Sequence, residues 1–213
     1  MSDGPLFECL EGLRGTGKST IAPLLAAARG AVLVPTVPLL YQQLRPEIDR
    51  RENTEARLCF YLSALFTAID EIQSCLDAGV PVVVESYFAR CLANHQAFGS
   101  RLGIALSPDL PQPVTYQLVC AENERQRRLA GRQKPVSPWD TLGENVAERI
   151  TAAYARFPMH QVDTTGLEPE QVVRAILATT PQGAQNRADT EPVGAHAHVL
   201  PPVPRRAQGT GRT

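Results

Sequence analysis

Residues Gly12-Leu13-Arg14-Gly15-Thr16-Gly17-Lys18-Ser19-Thr20 constrain this chain more than any other stretch. They fit the pattern of a glycine, four residues, then Gly-Lys-Ser/Thr. Leu6 to Glu11 ahead of them read as a short buried strand, and Ile21 to Ala28 behind them as a helix. A glycine turn between strand and helix lets backbone N–H groups converge without a Cβ in the way. The positive end of the helix points at the same spot. That arrangement cradles the phosphates of a nucleotide, and Gly12, Arg14, Gly15, Thr16, Gly17, Lys18, Ser19 and Thr20 are its candidate binding residues. Lys18 is placed to reach the β- and γ-phosphates, and the Ser19 hydroxyl to ligate Mg²⁺.

The remaining chain alternates strand and helix patterns. Gly30 closes the first helix, inside which Pro23 predicts a bend. Ala31 to Val34 form a second strand, and Leu39 to Arg50 an irregular helix interrupted by Pro46. After Asn53, Leu58, Leu62, Leu65, Ile69, Ile72 and Leu76 make one apolar stripe that ends at Gly79. Val80 to Val84, closed by Glu85, read as a buried parallel strand with an acid at its C-terminal end, the Walker B arrangement. A helix is expected over Tyr87 to Leu106, a strand over Val114 to Cys120, and a basic helix over Ala121 to Arg132. Pro135 and Pro138 make a loop of Gln133 to Asp140. A helix over Leu142 to Phe157, a strand over Met159 to Asp163 and a helix over Glu168 to Thr179 follow, the last with Val172, Val173, Ile176 and Leu177 facing inward. Such alternation predicts an α/β fold, a parallel sheet with helices on both faces.

Composition narrows the partners. A net charge of −1 over 213 residues gives no basis for broad nucleic-acid or membrane-surface binding. No apolar run approaches the ~20 residues of a membrane span, and the N-terminus runs into the first strand without a secretory pattern. Cys9, Cys59, Cys75, Cys91 and Cys120 are scattered in apolar surroundings and read as buried free thiols of a cytoplasmic protein. From 181 to 213 large apolar residues become scarce, so a domain of residues 1–180 is expected to carry a disordered tail.

With these residues in order, the chain resembles the P-loop nucleoside and nucleotide kinases, specifically the thymidylate kinase and deoxynucleoside kinase branch. The carriers are Glu11 to Thr20, the helix Arg57 to Gly79, Val82-Val83-Val84-Glu85-Ser86-Tyr87, the arginine-rich segment Arg125 to Lys134, and Val162-Asp163-Thr164-Thr165. The resemblance implies ATP-dependent transfer of a phosphoryl group to a small-molecule acceptor, a nucleoside monophosphate or a nucleoside, with Mg²⁺. It implies a three-layer fold on a five-stranded parallel sheet, an arginine-rich lid, for which Arg128, Arg132 and Lys134 are the candidates, and Mg²⁺ held by Ser19 and, through water, Glu85. The catalytic set so implied is Lys18, Glu85, Arg128 and Arg132. It leaves room for a homodimer.

The chain departs from that family at three places. Glu85-Ser86 stands where thymidylate kinases have Asp-Arg, so Arg90, one helical turn on, is the substitute cation. Arg14 stands where bacterial members often carry an acid. Pro35-Thr36-Val37-Pro38 holds no carboxylate where relatives place a functional one, leaving Glu11 and Glu85 as the nearby acids. Arg57 and Tyr61, one turn apart, and Tyr87 and Arg90 are the expected acceptor-binding residues. A kinase for a sugar or specialised metabolite is the alternative, and a nucleotide-binding regulatory protein is the alternative of another class. Against the last stands the lack of an Asn-Lys-x-Asp motif anywhere in the sequence.

Overall fold

The computed structural model of the chain describes residues 5–133 and 135–179. Lys134 and the expected tail, 181–213, lie outside the described residues. Five strands, β1 (Phe7–Glu11), β2 (Val32–Val34), β3 (Val82–Glu85), β4 (Val114–Val119) and β5 (His160–Asp163), form one sheet. Every pairing is parallel, in the order β2-β3-β1-β4-β5. The α/β fold expected from the alternation is the fold observed. β1 sits at the centre and all five of its residues are buried. Its neighbours pair with it residue for residue, Cys9 against both Val84 and Thr115, so the C-terminal ends of β1 and β3 come out side by side. Ligands collect at that edge of an open parallel sheet.

Two apolar layers flank the sheet. On one side Phe7, Cys9, Val82 and Val84 meet Leu58, Leu62, Leu65 and Ile72 of α3 (Thr54–Asp77). The stripe read from the sequence is the buried face of that helix, and the Asn53 side chain caps it by accepting the Ala56 N–H at 2.9 Å. On the other side Leu10, Val83, Tyr116 and Leu118 meet Ile21 and Leu25 of α1 (Lys18–Arg29) and Val172, Val173 and Ile176 of α8 (Pro169–Ala178). A third, smaller cluster joins α4 (Phe88–Ala97) to α7 (Ala147–Tyr154) through Ala93, Ala97, Ile150 and Tyr154.

Several boundaries differ from expectation, each for a local reason. α1 continues through Pro23 as a single helix. α2 (Leu39–Asp49) likewise holds Pro46 within it and buries none of its residues. α4 ends at Ala97 instead of reaching Leu106, because Gly99 takes φ +94° and turns its N–H back to the Gln96 carbonyl. The helix expected over Leu142 to Phe157 is two helices, α6 (Pro138–Asn145) and α7, meeting at Val146. Pro138 does not keep its segment open; it occupies the first turn of α6. Ser137 caps it in a box with Asp140, since a proline there loses only an N–H that had no partner. The basic helix is α5 (Glu122–Ala130). Leu177 is exposed, and among the free cysteines only Cys9 and Cys91 are buried while Cys59 faces solvent. No helix among the described residues is long and apolar enough to cross a membrane.

Candidate active site

The glycine turn is built by close packing. Gly12, Gly15 and Gly17 have φ of +133°, +93° and +105°, a region that L side chains rarely enter. At Gly12 a Cβ would come within 2.3 Å of the Leu118 carbonyl oxygen. At Gly15 it would lie 3.0 Å from the side chains of Arg125 and Leu129. The loop is therefore pressed between the end of β4 and α5. The Thr16 hydroxyl donates to the Leu13 carbonyl at 2.9 Å and closes the turn, and α1 begins at Lys18. Lys18 is almost wholly buried, its ammonium donating to the Gly12 and Leu13 carbonyls at 2.8 Å each. Burial pushes its pKa down to about 7. The charge of Arg90 pushes the same way, and the Glu85 and Glu11 carboxylates oppose them.

Glu11 and Glu85 have different roles. Glu11 is fully buried, and its Oε1 accepts the Tyr87 and Arg90 N–H groups at 2.8 and 3.2 Å. It thus caps α4 from a neighbouring strand, where the helix dipole favours an anion. Burial nonetheless raises its pKa. So committed, Glu11 is not available as a base. Glu85 is exposed at the end of β3, and Ser86 after it takes φ +71°, turning the chain into α4. Ser19 and Thr20 are exposed on the first turn of α1. A hydroxyl and a carboxylate on adjoining elements, both open and beside a phosphate cradle, are donors of the kind Mg²⁺ takes together with phosphate oxygens.

A cleft of about 320 Å³ opens from Gly12 and Leu13 and is lined by Arg14, Arg45, Arg57, Arg90, Asp49, Phe98, Trp139 and Asp140 among others. It brings together three of the cations expected from the sequence, Arg14, Arg57 and Arg90. Arg14 pairs with Asp140 at 3.3 Å. Arg57 pairs with Asp49 at 3.0 Å, its guanidinium lying between the rings of Tyr61 and Trp139 at 4.6 and 4.5 Å. Arg90 holds no ion pair among the described residues; its side chain reaches only the Ser86 hydroxyl, at 3.4 Å. Arg90 stands close enough to Lys18 to act on its charge state, so it borders the phosphate loop as well as the cleft.

Tyr61 and Tyr87 do not line the cleft. Tyr61 donates to both Asp49 carboxylate oxygens, at 3.0 and 3.1 Å, and supports Arg57 from behind. Tyr87 is buried in the core against Phe7 and Phe88, with its hydroxyl unpartnered among the described residues. It follows the turn at Ser86 as the residue that opens α4, and its ring packs in the apolar layer shared with α3.

The arginine helix also differs from expectation. Arg128 is tied down, Nε to Glu124 at 2.9 Å and both terminal nitrogens to Thr164, at 2.9 and 2.7 Å. Thr164 in turn reaches the Thr16 carbonyl at 3.3 Å. Arg128 thus links α5 to the loop after β5. Arg125 is buried and bonded to Glu122, Glu144 and the Arg14 carbonyl. Arg132 is exposed, and its charge contributes to lowering the Lys18 pKa. Of the basic residues in this segment, Arg132 alone among those described is open on the side of the loop.

Asp49, Arg45, His95 and Trp139 were not singled out from the sequence. Trp139 carried a readable signal: the only tryptophan, in a Ser-Pro-Trp-Asp capping box. Asp49 and His95 carried none, because only the packing of α2 and α4 on α3 brings Asp49 to the cleft and His95 against Arg57.

No protein-family model matches the chain, and no curated protein matches it. Among solved structures it is similar to the thymidylate kinase of Candida albicans, with a TM-score of 0.67 and 17% identity over 83% of this chain and 91% of that one. It is similar also to thymidylate kinase from Ehrlichia chaffeensis, with a TM-score of 0.53 and 17% identity over 82% of this chain and 97% of that one. The chain has the thymidylate kinase fold.

Proposed function

We propose that the protein is an ATP-dependent kinase that phosphorylates a nucleoside monophosphate. The observation that carries this reading is the placement of Arg90. Its guanidinium, without a carboxylate partner among the described residues, lies between the phosphate loop and the cleft. A cation there fits an anionic acceptor brought in line with a γ-phosphate. The acids support the same choice over a hydroxyl acceptor. Glu11 caps α4, Asp49 accepts from Arg45, Arg57 and Tyr61, and Asp140 is engaged by Arg14 and Ser137. None of these three is free to take a proton beside Gly12; Glu85 is open, and this reading assigns it to Mg²⁺. A phosphate oxygen needs no such base, because it is already a nucleophile.

In this reading the loop N–H groups and Lys18 orient the donor phosphates, and the positive end of α1 faces them. Arg90 and Arg14 bring the acceptor phosphate up to the loop, and Arg132 adds charge from the lid side. Ser19 and Glu85 would hold Mg²⁺, which supplies charge neutralisation across the β- and γ-phosphates when bound. Preorganised cations matter because the transferring group spreads its charge over oxygens that they already face.

The test is ADP formation with and without a panel of ribo- and deoxyribonucleoside 5′-monophosphates. Turnover that depends on a monophosphate is the expected result. Lys18→Ala should lower it by a hundredfold to a thousandfold, about 3–4 kcal/mol, on a fold of unchanged melting behaviour. ATP bound without acceptor-dependent turnover would sink the kinase reading in favour of a regulatory one. Turnover with nucleosides or sugars but no monophosphate would move the acceptor.

A further inference from the structure

His95 lies on α4, one turn beyond Cys91, and is almost wholly buried. Its Nδ1 is 2.7 Å from the Cys91 carbonyl oxygen and its Nε2 is 3.0 Å from a terminal nitrogen of Arg57. A carbonyl only accepts, so Nδ1 carries the proton. A guanidinium only donates, so Nε2 presents its lone pair. Both contacts are satisfied by one species, the neutral Nδ1–H tautomer, and by no other. The surroundings hold that species. Burial lowers the pKa of His95 to about 4; the Arg57 charge adds to this, while the Cys91 carbonyl and the Asp49 and Glu55 carboxylates oppose it. Those are the charged and titratable groups that act on it from α2, α3 and its own helix.

Arg57 is thereby fixed on several sides. Nε is held by Asp49, one terminal nitrogen by His95, and the two faces by Tyr61 and Trp139. What is left are the remaining N–H groups at its tip, in one plane, and the residue lines the cleft. An arginine side chain has several rotatable bonds, so a fixed tip is a consequence of these partners and not of the residue itself.

We propose that His95 is a positioning residue: as a neutral acceptor it sets the plane of the Arg57 guanidinium in the acceptor cleft without adding a second negative charge to the one Asp49 already sets against it. The proposal rests on the acceptor reading given above. A carboxylate in place of His95 would orient Arg57 equally well but, together with Asp49, would leave the group net negative. A side chain without an acceptor would leave it free to turn.

Two measurements test this, and they fail separately. The first is the nitrogen–proton correlation spectrum of histidine-labelled wild type and Arg57→Ala. The expected result is a neutral Nδ1–H ring down to pH 5, with an Nε2 resonance that moves in Arg57→Ala. An Nε2–H tautomer, or an imidazole unaffected by Arg57→Ala, overturns the proposal. The second is calorimetric binding of the best-bound nucleoside 5′-monophosphate, and separately of ATP, to His95→Gln and His95→Leu. The Gln side-chain oxygen can accept from Arg57, and Leu cannot. Monophosphate affinity is expected to fall by about tenfold or more in His95→Leu, the scale of one lost charged hydrogen bond, and to be largely retained in His95→Gln. ATP affinity should stay within about twofold in both. Equal loss in both variants, or a parallel loss of ATP binding, reduces His95 to a packing residue and overturns the proposal. If no monophosphate binds wild type, the acceptor reading falls, and the imidazole spectrum still decides the His95–Arg57 pairing.

Discussion

Buried polar groups carry the clearest energetic consequences at the scale of single residues. His95 is neutral and buried, with its pKa lowered from 6.5 to about 4. Above pH 6.5 the folded and unfolded chains bind the same number of protons at this group. Below it the unfolded chain takes up a proton that the folded one refuses, so stability falls between pH 6.5 and 4. The contribution lost is about 2–3 kcal/mol by pH 4. Urea unfolding at pH 7 and pH 4.5 should show a smaller acid loss in His95→Gln than in wild type. Equal losses would mean that the ring titrates normally in the fold. Tyr87 is the opposite case, a hydroxyl buried without a partner. Its desolvation is uncompensated, so Tyr87→Phe should keep the ring packing on Phe7 and Phe88 and raise stability by about 1 kcal/mol. A fall in melting temperature would show that the hydroxyl has a partner in solution.

At the scale of elements, the strand, turn and helix around Gly12 were legible in the sequence because their signals are local. A glycine pattern, an apolar run and a helical stripe each depend on near neighbours. The α3 stripe and the succession of strands along the chain were legible for the same reason, whereas their order across the sheet rests on distant pairings. Helix ends were less so: α4 stops at a glycine turn that the apolar pattern runs through, and α6 starts on a proline that was read as a breaker. Side-chain direction was the least legible. Arg125, Arg128 and Arg132 look alike in sequence, yet the first two are spent on Glu122, Glu144, Glu124 and Thr164, contacts that arise only on folding. Arg90 was expected to lie on the acceptor side, away from the phosphate loop, and it borders both. Arg90→Ala should accordingly lower kcat and raise KM for the monophosphate, and also weaken ATP binding to a lesser degree. A charged hydrogen bond of about 1.5–3 kcal/mol corresponds to a loss of roughly tenfold to a hundredfold in kcat/KM. Steady-state kinetics with each substrate varied would separate the two effects. No change with either substrate would make Arg90 a surface charge.

At the scale of the whole molecule, one buried guanidinium joins the parts that must work together. Arg125 extends from α5 to the phosphate loop, where one terminal nitrogen donates to the Arg14 carbonyl at 2.9 Å, and to Glu144 at the end of α6. Its own helix supplies Glu122 as a two-point partner, at 2.8 Å for each bond. The hydrogen bonds to these carboxylates hold its charge more firmly than in water, raising its pKa. Its stem also packs where a Cβ on Gly15 would have to go. The glycine loop, α5 and α6 are thus fastened through one side chain that is 3% exposed. Removing it strands a carbonyl and two carboxylates, but Glu122 is largely open to water and needs no new partner. The expected cost of Arg125→Ala is therefore at the low end for a broken buried pair, about 3 kcal/mol. For a domain of this size that is a fall of roughly 6–12 °C in melting temperature. Arg125→Lys should recover little of it, since a single ammonium cannot serve two forks and a carbonyl at once. Thermal unfolding of both variants checks this. A melting temperature within a degree of wild type in Arg125→Ala would mean that the loop and α5 are held by packing alone. If instead stability falls in both variants and ATP binding falls with it, the guanidinium is what keeps the loop in its phosphate-binding shape.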